Sequence, residues 1–66
     1  MKIVINGESK TVSEKLTIQE LIQDLGIAQQ KLALEVNQEI VPRSSYSEYL
    51  LQSGDIVEII HAIGGG

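Results

Sequence analysis

The stretch that most constrains the fold of this 66-residue chain is a single amphipathic helical segment that follows Thr17. Thr17 and Glu20 have the spacing of a capping box, in which each side chain binds a backbone N–H at the start of a helix. Gly26 stands where a left-handed residue ends a helix, and Ile27 follows as the apolar contact of that cap. Between these ends, four apolar residues recur at helical spacing: Ile18, Leu21, Ile22 and Leu25. A helix of about two and a half turns is unstable alone, so this stripe must cover a sheet.

The segment before the helix is predicted to be a β-hairpin. Asn6-Gly7 separates two strand-like runs at residues 2–5 and 10–13. This dipeptide favours a type I′ turn, because both central residues of such a turn need a positive φ. The two residues after the turn either add a bulge or continue the second strand.

Three further strand-like runs follow the helix, at residues 32–36, 39–41 and 56–62. Asn37-Gln38 can turn the first of these into the second, which Pro42 ends because proline lacks a backbone donor. Gly54 begins a turn that leads into the last run. In the irregular stretch between them, three apolar residues at helical spacing predict a short turn packed on the core: Tyr46, Tyr49 and Leu50.

The order of these elements is hairpin, helix, short hairpin, irregular turn and final strand. It predicts an α+β fold of the ubiquitin-like β-grasp type, with one main helix packed on one face of a mixed sheet of four to five strands. In that fold the first and last strands lie side by side at the centre of the sheet. We expect a β-grasp domain over residues 1–62 and a flexible C-terminal glycine tail over residues 63–66.

The tail, Ile63-Gly64-Gly65-Gly66, is predicted to carry the chemistry. Glycine loses the most backbone freedom on ordering and has no side chain to bury, so this run does not form a packed element. It presents the α-carboxylate of Gly66 on an arm that reaches about 10 Å. Such an arm suits a narrow channel in another protein, and we expect Gly66 to be the residue that reacts. The alternative is an end that is merely frayed.

Alternation along the first and last strands predicts a docking surface beside this tail. If Glu58 points to solvent, the period of two buries four apolar residues: Ile3, Ile5, Val57 and Ile59. Val4, Ile60 and Ala62 then lie on the opposite face, near Ile63. Single exposed apolar residues are ordinary, but a cluster of them at the base of a reactive tail predicts partner docking.

Little else in the sequence indicates chemistry. Without cysteine there is no thiol nucleophile, disulfide or cysteine-ligated zinc, and His61 has no second histidine with which to bind a metal. Five scattered basic residues and a formal net charge of −4 argue against nucleic-acid binding. The apolar run at residues 3–5 is far too short to span a membrane. We therefore predict a cytoplasmic protein that is not an enzyme and is monomeric when free.

The sequence resembles the ThiS family, the sulfur carrier proteins of thiamine (thiazole) biosynthesis, over essentially its whole length. The similarity lies in the Val-Asn-x-x-Ile-Val-Pro-Arg pattern of residues 36–43, the Gly-Asp-Ile-Val-Glu run at residues 54–58, the short length and the terminal Gly-Gly. Many relatives have alanine before the last two glycines, where this chain has Gly64. We expect that difference to leave the function unchanged or to make the tail slightly more flexible.

The resemblance implies a carrier role for Gly66. In that family an E1-like adenylyltransferase (ThiF-type) uses ATP and Mg²⁺ to adenylate the last glycine, so the partner binds the nucleotide and metal, and the carrier holds no cofactor. Sulfur from a cysteine desulfurase-derived persulfide then displaces AMP and leaves a C-terminal thiocarboxylate. Thiazole synthase (ThiG-type) accepts that sulfur.

Three alternatives stay open at this point. The small subunit of molybdopterin synthase uses the same carrier chemistry, but it tends to be longer, with a more aromatic and proline-containing approach to Gly-Gly. This chain has no Phe and only Pro42. A ubiquitin-like modifier would instead end as an amide on lysine. A β-grasp binding module with a frayed tail would keep its activity without Gly65 and Gly66.

Overall fold

The computed structural model describes residues 1–27 and 32–61. They form β1 (Lys2–Ile5), β2 (Glu8–Thr11), α1 (Ile18–Leu25), β3 (Leu32–Val36), β4 (Glu39–Val41) and β5 (Ile56–His61), with a 3₁₀ helix at Arg43–Ser45. The strands make one sheet in the order β2-β1-β5-β3-β4. β1 and β5 are parallel, whereas the other neighbouring strands are antiparallel. The predicted mixed sheet, with its first and last strands adjacent, is confirmed. The boundary after residue 62 and the tail at residues 63–66 lie outside the described residues.

Both predicted ends of the helix are confirmed. The Glu20 N–H donates to Thr17 Oγ1 at 3.1 Å, and the Thr17 N–H donates to Glu20 Oε1 at 2.9 Å. Gly26 has a φ of 71°, and the Ile27 N–H donates to the Ile22 carbonyl oxygen at 3.2 Å. The helix therefore begins and ends where its side chains satisfy or redirect the terminal backbone groups.

The first hairpin is confirmed, with a correction to its second strand. Asn6 and Gly7 have φ values of 49° and 84°, as a type I′ turn requires. This turn pairs Ile5 directly with Glu8, which leaves no bulge. β2 consequently begins two residues earlier than the predicted run at residues 10–13, and it ends at Thr11.

The second hairpin has the same turn geometry without a glycine, which yields a stability prediction. Asn37 and Gln38 have φ values of 52° and 71°. A left-handed backbone strains a residue with a Cβ, so Gln38→Gly is expected to raise the free energy of unfolding by about 0.5–1 kcal/mol. Urea unfolding followed by circular dichroism measures the change. Gln38→Ala is the matched control, because it removes the side chain but keeps the strain. An equal gain in both variants would contradict this reason.

The core lies between the helix and one face of the sheet. The four residues predicted from strand alternation are buried, together with Ile18, Leu21 and Ile22 of α1. Tyr46 is also buried, and this burial raises the pKa of its hydroxyl, an effect that nearby Arg43 partly opposes. The prediction that Leu50 packs on the core is wrong. Leu50 forms an extended bridge with Thr17 and is 51% exposed, so the next residue, Leu51, turns inward instead.

Candidate functional site

β5 is the strand that leads into the residues assigned the chemistry, and the sheet holds it from both sides. β1 lies along one edge and pairs Val4 with Ile56. β3 lies along the other and pairs with β5 through five positions, from Val36↔Val57 to Leu32↔His61. Val57 is fully buried. A strand with two neighbours and a buried side is a rigid base for whatever follows it.

A side chain extends the support of β5 beyond the end of β1. The Ile59 N–H donates to Asn6 Oδ1 at 2.8 Å, and Asn6 Nδ2 donates to the Ile59 carbonyl oxygen at 3.4 Å. The Asn6 amide thus replaces the peptide group that a longer β1 would have supplied. Asn6 therefore serves both the hairpin turn and the distal half of β5.

Another asparagine fixes the start of β5. The Ile56 N–H donates to Asn37 Oδ1 at 3.0 Å, and Asn37 Nδ2 donates to Asp55 Oδ1 at 3.1 Å. The second carboxylate oxygen of Asp55 accepts the Gln52 N–H at 2.8 Å. Asn37, Gln52 and Asp55 line a surface depression of about 360 Å³, together with Tyr49 and Leu50. The polar groups of this depression hydrogen-bond to one another and so stabilise the turn before β5.

The sheet face opposite the helix carries an apolar surface, which we call the open face. Its apolar members come from four strands: Val4, Ala33, Ile40, Ile56 and Ile60. The three isoleucines are 71%, 51% and 54% exposed, in chain order. Large apolar side chains that cluster on one exposed face are typical of a protein-binding surface. The open face is therefore the candidate docking site.

Two glutamates lie in the middle of the open face. Glu35 of β3 is directly opposite Glu58 of β5 in the antiparallel register. Side chains opposite each other in this way have Cβ atoms about 4.5–5.5 Å apart, so two carboxylates repel there. Glu35 also lies opposite Ile40 of β4. The centre of the apolar surface is therefore acidic.

In the structure, the predicted docking residues Val4 and Ile60 do not form a single compact patch. Val4 is half-buried and lies beside Ile56, whereas Ile60 lies four residues further along β5, opposite Ala33. At about 3.3 Å per residue this separates Val4 from Ile60 by about 13 Å along the strand. Ile56 was missed, although it has the same parity as Glu58. The other predicted site residues lie outside the described residues: Ala62, Ile63, Gly64, Gly65 and Gly66.

The part of the chain that the structure describes offers neither a metal site nor a membrane-spanning helix. Within residues 1–27 and 32–61, no group of three or more His, Cys, Asp or Glu side chains is placed to hold a metal ion. Over the same ranges, no helix has the length and apolar character that crossing a membrane requires. The open face and the end of β5 are thus the features that carry a functional interpretation.

Comparisons with known proteins agree on one family. The model of the ThiS family matches residues 3–66. The chain is 33% identical to the sulfur carrier protein ThiS of Escherichia coli, and the match covers the whole of both chains. It is 47% identical to a thiazole synthase of Paramagnetospirillum magneticum over 66 residues, and it spans only 20% of the length of that protein. The crystal structure of the thiamine biosynthesis protein ThiS from Geobacter metallireducens superimposes with a TM-score of 0.86 over the whole of both chains, at 33% identity.

Proposed function

The chain belongs to the ThiS family, and from this premise we propose that it carries sulfur for thiazole formation in thiamine biosynthesis. The sulfur is held as a thiocarboxylate on Gly66. The observation that carries this proposal is the placement of β5: a strand held on both sides by the sheet runs directly into residues 62–66, the last three of which are glycine. A rigid base followed by a narrow segment suits delivery of one carbonyl group into a partner's site.

The proposed chemistry begins by activating the carboxylate. An oxygen of the Gly66 carboxylate attacks the α-phosphorus of ATP, and pyrophosphate leaves. The resulting acyl adenylate has AMP as a good leaving group, which a sulfur nucleophile displaces at the carbonyl carbon. One carboxylate oxygen thus departs with AMP and one sulfur takes its place. ATP and Mg²⁺ are bound by the activating enzyme, and the carrier itself takes the part of a co-substrate rather than an enzyme.

The open face provides the docking contacts in this proposal. The E1-like adenylyltransferase packs on Val4, Ile56 and Ile60, and Ala62 and Ile63 extend the contact toward the glycines. Gly64 and Gly65 let channel walls approach closely, because they lack a Cβ. A cysteine desulfurase-derived persulfide supplies the sulfur: its terminal sulfur attacks the acyl adenylate and gives an acyl disulfide. A thiol reductant then cleaves the S–S bond, which releases the C-terminal thiocarboxylate and leaves the donor thiol as a disulfide. Because these steps use ATP, we propose that the carrier works in the cytoplasm. We also propose that it is a monomer between encounters with its partners.

Thiazole synthase is the proposed acceptor of the sulfur. Two proteins named thiazole synthase, from Paramagnetospirillum magneticum and Magnetococcus marinus, contain a region similar to all 66 residues of this chain. The chain spans 20% of each. A carrier-like region inside a synthase polypeptide supports a working relationship between the two. It also favours the thiazole pathway over molybdopterin assembly.

Removing apolar area from the docking contact is expected to weaken activation without unfolding the carrier. Ile60→Ala should lower kcat/KM for adenylation about tenfold, since a well-packed interface side chain contributes about 1–2 kcal/mol. Leu50→Ala is the matched control, because Leu50 is similarly exposed but lies beside Thr17 at the start of α1, away from the open face. Pyrophosphate release measures both variants. Equal losses in the two, or none in Ile60→Ala, would remove Ile60 from the docking site.

Genetic complementation tests the pathway. In a bacterial strain that lacks its own thiazole-pathway sulfur carrier, expression of this chain is expected to restore growth without thiamine. Expression in a strain that lacks the small subunit of molybdopterin synthase is expected to restore no molybdoenzyme activity. The reverse pattern would assign the chain to molybdopterin synthesis. Growth equally restored by a chain without Gly65 and Gly66 would favour a binding module.

A further inference from the structure

The glutamate pair on the open face is unfavourable for the free protein. Glu35 and Glu58 are directly opposite each other in β3 and β5, two neighbouring strands that are not at an edge of the sheet. Like charges directly opposite each other in neighbouring strands destabilise a sheet. A neutral residue at either position would relieve the repulsion at no cost to the core, because both side chains point away from the helix. Folding alone therefore does not explain the pair.

No cation of the described residues lies within 4.0 Å of these two carboxylates. In residues 1–27 and 32–61, the one ion pair within 4.0 Å joins the N-terminal ammonium group of Met1 to Glu14. The described basic side chains lie on other elements, in β1, β2, the turn before α1 and the 3₁₀ helix: Lys2, Lys10, Lys15 and Arg43. Neither β3 nor β5 contains Lys or Arg. Among the described residues, the pair is therefore left open to a basic group of another molecule.

The surroundings identify what kind of molecule this is. Ile40, Ile56 and Ile60 flank the carboxylates and are each more than half exposed. An apolar ring around a charged centre matches a protein surface on which one basic side chain stands among apolar ones. Nucleic acid and anionic lipid are repelled by these charges. A second copy of the chain would set the same two carboxylates against themselves and add another net charge of −4.

We propose that Glu35 and Glu58 together bind one arginine of the activating enzyme, with the three isoleucines packed around it; this rests on the proposed function. A guanidinium group carries five N–H donors in a planar fork, so one arginine can bridge two carboxylates. The activating enzyme is the occupant because it must bring ATP, a polyanion, next to a carrier of net charge −4. Cationic groups on its surface offset that repulsion, and the glutamate pair is where the carrier offers them partners.

Variants that each remove one charge test whether the glutamate pair binds an arginine. Glu35→Gln and Glu58→Gln each remove one negative charge from the open face. Glu39→Gln makes the same change on β4, where Glu39 lies opposite Val36 and so on the other face of the sheet. The probe is the host's E1-like enzyme, with affinity measured by titration calorimetry and adenylation by pyrophosphate release. We expect affinity to fall at least about tenfold in Glu35→Gln and Glu58→Gln, and less than about twofold in Glu39→Gln.

Two further readouts separate recognition from structure. KM for the carrier should rise in the two open-face variants, while kcat at saturating carrier stays unchanged. Their urea midpoints should equal or exceed that of the wild type, since the repulsion is relieved. Wild-type affinity in both variants, or an equal loss in Glu39→Gln, would overturn the proposed role of the glutamate pair but leave the proposed function standing. A wild-type chain that the enzyme neither binds nor adenylates would overturn the proposed function and this inference with it.

Discussion

Replacing Leu34 by alanine is expected to remove most or all of the stability of this domain. Leu34 is fully buried in β3, where it lies between Val41 of β4 and Ile59 of β5. Truncating a buried leucine costs about 2–5 kcal/mol, because the lost apolar contact is joined by the cost of a cavity. A domain of 66 residues has about 3–10 kcal/mol in total. No disulfide is available to offset the loss, since the chain has no cysteine.

Urea unfolding at 25 °C measures this effect, with Leu50→Ala as the matched control. Leu50 undergoes the same chemical change but is 51% exposed, so its truncation should cost about 1 kcal/mol or less. We expect Leu34→Ala to be partly or wholly unfolded without urea, and Leu50→Ala to keep a cooperative transition near that of the wild type. Similar midpoints for the two variants would mean that the core is not centred where the structure has it.

Deleting Gly66 is expected to abolish sulfur loading while the fold stays unchanged. The deletion shortens the segment after β5 by about 3.3–3.6 Å, which withdraws the carboxylate from a reaction that depends on the placement of one carbon atom. The described core uses no residue beyond Ile59, so the urea midpoint should not move. We expect the rate of adenylation to fall by at least about a thousandfold, as for other losses of alignment with the reacting atoms.

A semisynthetic chain that ends in the Gly66 carboxamide separates length from chemistry. It keeps every backbone atom of the segment but has no carboxylate oxygen to attack ATP. It should therefore be bound by the activating enzyme about as well as the wild type, and should release no pyrophosphate. Adenylation of either altered chain at the wild-type rate would show that the reacting group lies elsewhere.

Local features of the fold were predictable because their causes are local. The Asn6-Gly7 turn needs only two positive φ values, and the helix ends need only Thr17, Glu20 and Gly26 in the right spacing. Alternation also predicted which face of β5 is buried, since a strand has a fixed period of two. Each of these signals is contained within a few neighbouring residues.

The parts that sequence reasoning missed depend on pairing between distant residues. The parallel register of β1 and β5 joins Val4 to Ile56, more than fifty positions apart, through main-chain bonds that leave no mark on the side chains. For this reason Val4 was placed beside Ile60. The opposition of Glu35 and Glu58 depends on a second long-range register, between β3 and β5. Both registers set the shape and charge of the open face.

Leu50 shows the same limit in a loop. Its spacing from Tyr46 suggested a helical turn, but the backbone is extended there because it bridges Thr17, at the start of α1. The Leu51 N–H donates to the Leu16 carbonyl oxygen at 2.8 Å, which keeps this segment extended. Pairing with the residues at the N-terminal end of α1 thus determines which of the two adjacent leucines is buried.

The most direct test of the central claim is the intact mass of the chain before and after incubation with its host's E1-like enzyme, ATP, Mg²⁺ and a sulfur source. The mass before incubation should be that of a chain ending at Gly66. Afterwards we expect a gain of about 16 Da, the exchange of one oxygen for sulfur, localised to the C-terminal peptide and absent from the chain that lacks Gly66. An unchanged mass in a folded wild-type chain, with every activating enzyme of the host, would contradict the carrier function.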